Sequence, residues 1–186
     1  MQVNTLWVRH GESTWNRMGL MQGQTCWPPL TWRGIRQAHA AADELRRYGP
    51  ARLVSSDLQR ASETARIIGA RLALPVDHTP LLRERSWGAF EGRPKAEGHR
   101  AESVLSAHQP VPQGESRDDV AERLCQLLPS LTPTEGPIVV VTHGDVIREA
   151  IRLWVADGQE KEDRPGNGCI IRISTDLATG LPTSDL

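Results

Sequence analysis

Hydrophobic positions change period along the chain, and the changes mark out alternating strands and helices. Residues 5–8 (Thr-Leu-Trp-Val) form a short apolar run that stops at Arg9-His10-Gly11, as a buried strand does at its turn. Residues 12–31 lose all period and hold glycine, proline and polar side chains, which predicts a long loop. Over 33–48, Ile35, Ala38, Ala41, Ala42, Leu45 and Tyr48 recur at three- and four-residue spacings, the stripe of an amphipathic helix, and Gly49-Pro50 ends it. Leu53-Val54-Ser55 is a second short strand. Asp57 is a suitable N-cap for the next helix, whose apolar face is Leu58, Ala61, Ala65, Ile68 and Leu72.

The region 85–115, rich in Gly, Pro, His and charge, reads as an irregular excursion covering the core. Ser116-Arg-Asp-Asp119 has the form of a capping box, opening a helix that runs to about Leu128. Ile138-Val139-Val140-Val141 is the clearest buried strand. After His143-Gly144 comes a helix with Val146, Ile147, Ala150, Ile151 and Trp154 on its apolar side. Residues 169–173 are a last strand, and the polar tail beyond Ser174 is expected to fray. Strands alternating with helices predict an α/β fold: a three-layer α/β/α sandwich on a mostly parallel central sheet, as one domain over residues 1–186.

In such sheets ligands bind beyond the carboxyl ends of the strands. Three strands here end in related chemistry: Arg9-His10, then Ser55-Ser56-Asp57 with Arg60 one helical turn on, and Thr142-His143. Arginine offers a planar donor fork suited to phosphoryl oxygens, and a helix start favours an anion near Arg60. Cationic neighbours keep an imidazole neutral and therefore nucleophilic. His10 could attack phosphorus while Arg9, Arg60 and His143 hold the equatorial oxygens. Glu84 is a candidate proton donor to the leaving group; the other reading is a surface carboxylate paired with Arg83 or Arg85.

The same residues carry a family resemblance. Arg9-His10-Gly11-Glu12-Ser13-Thr14-Trp15-Asn16 resembles the signature of the histidine phosphatase superfamily, in its phosphoglycerate mutase-like branch. Gln22-Gly23, Pro29-Leu30-Thr31 with Gly34, Ser55 to Ala61 with Thr64-Ala65, Leu82-Arg83-Glu84 with Gly88 and Glu91-Gly92, Gly114-Glu115-Ser116 and Val141-Thr142-His143-Gly144 follow in the family's order, over about residues 5–173. The resemblance implies a phosphoglycerate mutase-like fold and a phosphohistidine intermediate on His10. It assigns Arg9, Arg60 and His143 to the phosphoryl group, Asn16 to a contact from the loop, and Glu84 to the general acid and then base. Gln22 and Gly23 become possible substrate contacts; Trp15, Trp27 and Trp87 flank the motifs, and one of them, Trp27 first, could contact substrate, although the loop from Gln24 to Pro29 departs from the family's pattern. Only 21 residues separate Gly92 from Gly114, a short cover that favours hydrolysis over the mutase reaction. A phosphomutase and a non-catalytic phosphate-binding module on the same fold are the alternatives.

Composition narrows the partners. Formal net charge is -1, with no basic excess for nucleic acid, and no run approaches the roughly 18 apolar residues of a membrane span. The polar start gives no sign of a signal peptide. Cys26, Cys125 and Cys169 are odd in number and widely spaced, so a disulfide framework is not expected and a cytoplasmic setting is. Cys125 and Cys169 read as packing residues, Cys26 as a loop residue. His39, His78, His99 and His108 read as solvated or structural, and most of the six tryptophans as core or pocket wall. No metal-ligand spacing is present, so neither a metal nor another cofactor is expected. The expected ligand is a small phosphorylated metabolite; nothing in the pattern specifies an oligomeric state.

Overall fold

The structure, a computed structural model, describes residues 2–155 and 165–176. Among the described residues five strands form one sheet: β1 (Gln2–Arg9), β2 (Arg52–Ser56), β3 (Val76–Thr79), β4 (Ile138–Thr142) and β5 (Ile170–Asp176). Their order is β3-β2-β4-β1-β5, with every neighbouring pair parallel except β1 and β5. The helices are α1 (Thr14–Met18), α2 (Trp32–Leu45), α3 (Gln59–Leu72), α4 (Lys95–Glu102), α5 (Arg117–Leu127) and α6 (Gly144–Trp154).

Side-chain alternation explains the layers. Leu6 and Val8 of β1 and Val139 and Val141 of β4 point to one face, where they pack with Ala41, Ala42 and Leu45 of α2 and Ala61, Ala65 and Ile68 of α3. Val3, Trp7, Ile138 and Val140 point to the other, against α5 and α6 through Leu124, Leu127, Ile147 and Trp154. A strand apolar on both faces must be covered on both, which makes the fold a three-layer α/β sandwich. Trp7 and Trp154 meet in that core with centroids 5.8 Å apart.

Several expectations change in detail. Thr31 caps α2, which stops at Leu45; a 3-10 turn over Arg46–Tyr48 follows, with Tyr48 at the surface under Arg172. Asp57 does not cap α3. The N-cap is Leu58, without a side-chain cap, because Asp57 is drawn into a bidentate pair with Arg83. Cys125 is exposed on α5 rather than packed, since the inward face of that helix is filled by Val120, Leu124 and Leu127. Trp27 and Trp32 are exposed at 58% and 82%.

The loop predicted over 12–31 contains α1, opened by a reciprocal Ser13–Asn16 capping box. The excursion contains α4, folded over a small cluster of Met21, Trp87 and Val111. Ser116 and Asp119 form the capping box read from the sequence. β5 runs on to Asp176, and the tail from residue 177 lies outside the described residues. Among the described residues, no helix is long and apolar enough to cross a membrane.

Candidate active site

The parallel register brings the carboxyl ends of β1, β2 and β4 to one edge. The His10 amide donates to the Thr142 carbonyl at 2.9 Å, tying the ends of β1 and β4 together. The Gly11 amide donates to Thr64 Oγ1 on α3 at 3.1 Å. Gly11 has to be glycine, because a Cβ there would lie 2.3 Å from the Gly34 carbonyl oxygen.

His10 is buried, and its Nδ1 lies 2.7 Å from the Gly11 carbonyl oxygen. A carbonyl only accepts, so Nδ1 carries the hydrogen and Nε2 of the neutral ring carries the lone pair. Burial, with Arg60 and Arg9 alongside, holds His10 well below the ordinary imidazole range. His143, the N-cap of α6, is held low by burial and by Arg60 and His10. Its Nε2 is 2.9 Å from Ser56 Oγ at the end of β2.

Arg9 donates from Nη1 to the Pro165 carbonyl at 2.5 Å. Arg60, in the first turn of α3, donates from Nη1 and Nη2 to the carbonyls of Thr25 and Gly23 at 2.9 and 2.8 Å. Burial pushes Arg60 down to about 10, so it is still charged at neutral pH. Arg9 Nε, Arg60 Nε and His143 Nδ1 are all buried with no hydrogen-bond partner among the described residues. Buried polar groups are nearly always partnered, so three such nitrogens, on two arginines whose charges reach His10 and on the ring packed against it, suit an acceptor-rich anion; of the three residues Arg9 lines the pocket, while Arg60 and His143 are not among its lining residues.

Glu84 stands on the pocket wall, paired with neither Arg83 nor Arg85 through its side chain. Its Oε1 accepts from the backbone amides of Arg85 and Asp145, at 3.0 and 3.2 Å. Burial and the neighbouring Asp145 charge push it up to about 7, against the pull of Arg60. Asp145 itself stays low: burial opposes ionisation, but Arg148 and the Trp87 indole outweigh it.

The pocket above His10 has a volume of about 170 Å³, and Arg9, Asn16, Gln22, Gly23 and Glu84 line it. Asn16 Oδ1 accepts from the Ser13 amide and from Asn167 Nδ2, which leaves its NH₂ end as the group able to donate. Gln22 is held by the Ser13 hydroxyl at 2.6 Å. Trp27 is not brought in. It packs edge-on against Trp15, 4.9 Å between centroids, and is not among the residues that line the pocket.

The remaining wall was not singled out by the sequence: Lys95 and His99 from α4, with Asp145 and Arg148 from α6. Lys95 and His99 are four residues apart and so share a helix face. His99, read as solvated or structural, is a pocket-wall residue, and Trp87 joins it there. His39, His78 and His108 are exposed, as expected. Among the described residues no three His, Cys, Asp or Glu side chains gather into a group able to hold a metal ion.

With this geometry in place, comparison with known proteins gives the family. Residues 6–179 match the histidine phosphatase superfamily, branch 1, and the chain belongs to that superfamily. It is 37% identical over 146 residues to a Yersinia pestis protein named "Probable phosphoglycerate mutase GpmB", covering 74% of this chain and 67% of that one. Among solved structures it resembles mycobacterial glucosyl-3-phosphoglycerate phosphatase, with a TM-score of 0.78, 30% identity, and 94% and 91% of the two chains covered. A structure called mycobacterial hydrolase 1 gives a TM-score of 0.80 at 30% identity, with the same coverages.

Proposed function

We propose that this protein is a phosphatase that hydrolyses a phosphomonoester of a small metabolite through a phosphohistidine on His10. The observation that carries this reading is the set of three buried, unpartnered nitrogens on Arg9, Arg60 and His143 around a neutral imidazole. His10 Nε2 attacks phosphorus, and the N–P bond forms as the bond to the leaving oxygen breaks. Arg9, Arg60 and His143, with Asn16 from α1, neutralise the equatorial oxygens, the main demand of phosphoryl transfer. Glu84, pushed up to about 7 and so still carrying a proton in part of the molecules at neutral pH, gives that proton to the leaving oxygen. As a carboxylate it then takes a proton from the water that attacks the phosphohistidine. Phosphate leaves, and His10 and Glu84 return to their starting states.

A phosphomutase would use the same phosphoenzyme, and the likeness to GpmB favours it. The short cover between Gly92 and Gly114 and the likeness to a solved phosphatase favour water as the acceptor. A non-catalytic phosphate-binding role leaves unexplained why burial and Asp145 raise the proton affinity of Glu84 in the same pocket as a neutral His10. Thiols exposed at Cys26 and Cys125 suit a reducing compartment, so we place the protein in the cytoplasm. A phosphate-release screen over phosphorylated metabolites, run beside His10→Ala, tests the reading. It stands if release depends on His10 and fails if His10→Ala releases phosphate as the natural chain does.

A further inference from the structure

Glu84 sits among groups that favour its charged form. Arg60 faces it from α3, and Arg9 reaches it from the end of β1. Arg148 lines the same pocket from α6, and Lys95 and His99 do so from α4. The His10 and His143 rings, from the ends of β1 and β4, are held neutral by burial and add no charge. Of the two backbone N–H groups on Glu84 Oε1, that of Asp145 comes from the first turn of α6, a helix start that also stabilises a carboxylate. A general acid needs the opposite condition, so something here must oppose this field.

Beside burial itself, the opposing group is the residue that supplies that N–H. Asp145 places its carboxylate on the pocket wall next to Glu84, fixed from both ends. Oδ2 accepts from the Trp87 indole Nε1 at 2.9 Å, and Oδ1 is paired with Arg148. Both oxygens are occupied, so Asp145 is poorly placed to deliver a proton itself. Trp87 is anchored in turn, with Arg85 over its ring at 4.8 Å. The charge of Asp145 is thus held at a fixed position by Trp87 and Arg148, which line the same pocket.

We propose that Asp145 is a positioning residue for the reaction, its fixed carboxylate keeping Glu84 in the protonated form that can donate to a leaving alkoxide. This rests on the reading of Glu84 as the acid. Arg148 sets the balance, by pairing with Asp145 while adding its own positive charge to the pocket.

The test is the pH profile of His10 phosphorylation in single turnover, with an alkyl phosphate and with p-nitrophenyl phosphate as substrates. With the alkyl phosphate, the rate falls on the basic side as Glu84 loses its proton. Asp145→Asn should move that fall to lower pH by about one unit, a tenfold loss on the basic side, since a neighbouring charge shifts a carboxyl by this order. The rate with p-nitrophenyl phosphate should change little, and Asp145→Glu should restore much of the natural profile. Arg148→Gln should move the fall the opposite way, to higher pH, which keeps a test in hand if Asp145→Asn folds poorly. Glu84→Gln separates the two claims: if it leaves the basic fall in place, Glu84 is not the acid and the underlying reading fails. If Glu84→Gln abolishes the fall and a folded Asp145→Asn does not move it, the role proposed for Asp145 is overturned; where Asp145→Asn does not fold, an unmoved fall in Arg148→Gln overturns it. Equal slowing of both substrates at every pH would likewise reduce Asp145 to a structural part.

Discussion

The imidazoles of His10 and His143 meet edge to face, with ring centroids 5.1 Å apart, and anchor through opposite nitrogens. His10 commits Nδ1 to the Gly11 carbonyl, and His143 commits Nε2 to the Ser56 hydroxyl. The first arrangement leaves a lone pair on Nε2. The second, with the Ser56 hydroxyl donating, leaves an N–H on Nδ1. On the proposed reading, one ring is then set up to attack phosphorus while its neighbour is able to donate to a phosphoryl oxygen.

Both rings should stay neutral well below pH 6.5, because burial and the arginines lower their proton affinity. Acidification through the ordinary imidazole range should therefore not switch off attack. With p-nitrophenyl phosphate, which needs no proton donor, single-turnover phosphorylation should stay nearly level from pH 8 to about pH 5.5 after correction for substrate ionisation. A fall centred near 6.5 would mean that His10 is protonated in the ordinary range.

Glu84→Gln should separate substrates by leaving group. General acid assistance is worth about 10²–10⁴-fold, so alkyl phosphates should lose that order of phosphorylation rate and p-nitrophenyl phosphate far less. The first turnover must be measured, because the same change also slows water attack on the phosphoenzyme. Equal slowing for both leaving groups would remove Glu84 as the acid.

Gly23→Ala should weaken the site from the loop side. Gly23 has φ near +50°, and a Cβ would lie 2.0 Å from Glu91 Oε1. Glu91 also receives the amides of Gln24 and Trp87, and Arg60 holds the Gly23 carbonyl. The left-handed backbone alone should cost about 1–3 kcal/mol. Urea unfolding together with inhibition by inorganic phosphate checks this; unchanged stability and unchanged phosphate affinity would show that the loop adapts.

Activity should survive a chelator. On the proposed reading, Arg9 and Arg60 supply the positive charge that a divalent ion provides at other phosphoryl-transfer sites. Assay after dialysis against EDTA is the check; loss of activity restored by one divalent ion would show that the arginines are insufficient.

The candidate site was legible because its residues end apolar runs. Arg9-His10, Ser56 and Thr142-His143 stand where a periodic pattern stops, and a parallel sheet gathers such ends at one edge. The far wall of the pocket was not legible. Lys95 and His99 lie on α4, a polar helix with little apolar stripe to announce it, and reach the pocket only because Met21, Trp87 and Val111 cluster beneath it. α1 is too short for a period, and its one signal is the Ser13–Asn16 capping box. β3 was passed over because Val76–Thr79 is a short edge strand with no buried residue. Asp57 misled because its preference for a cap lost to a bidentate partner, Arg83, distant in sequence.

The central claim is that turnover passes through a phosphorylated His10, and rapid quench with phosphorus-labelled substrate tests it most directly. The account predicts a phosphoenzyme that survives base, is lost in acid, and maps to His10. No label should be retained in His10→Ala. Full labelling of His10→Ala, or steady turnover with no protein-bound label at any quench time, would contradict it.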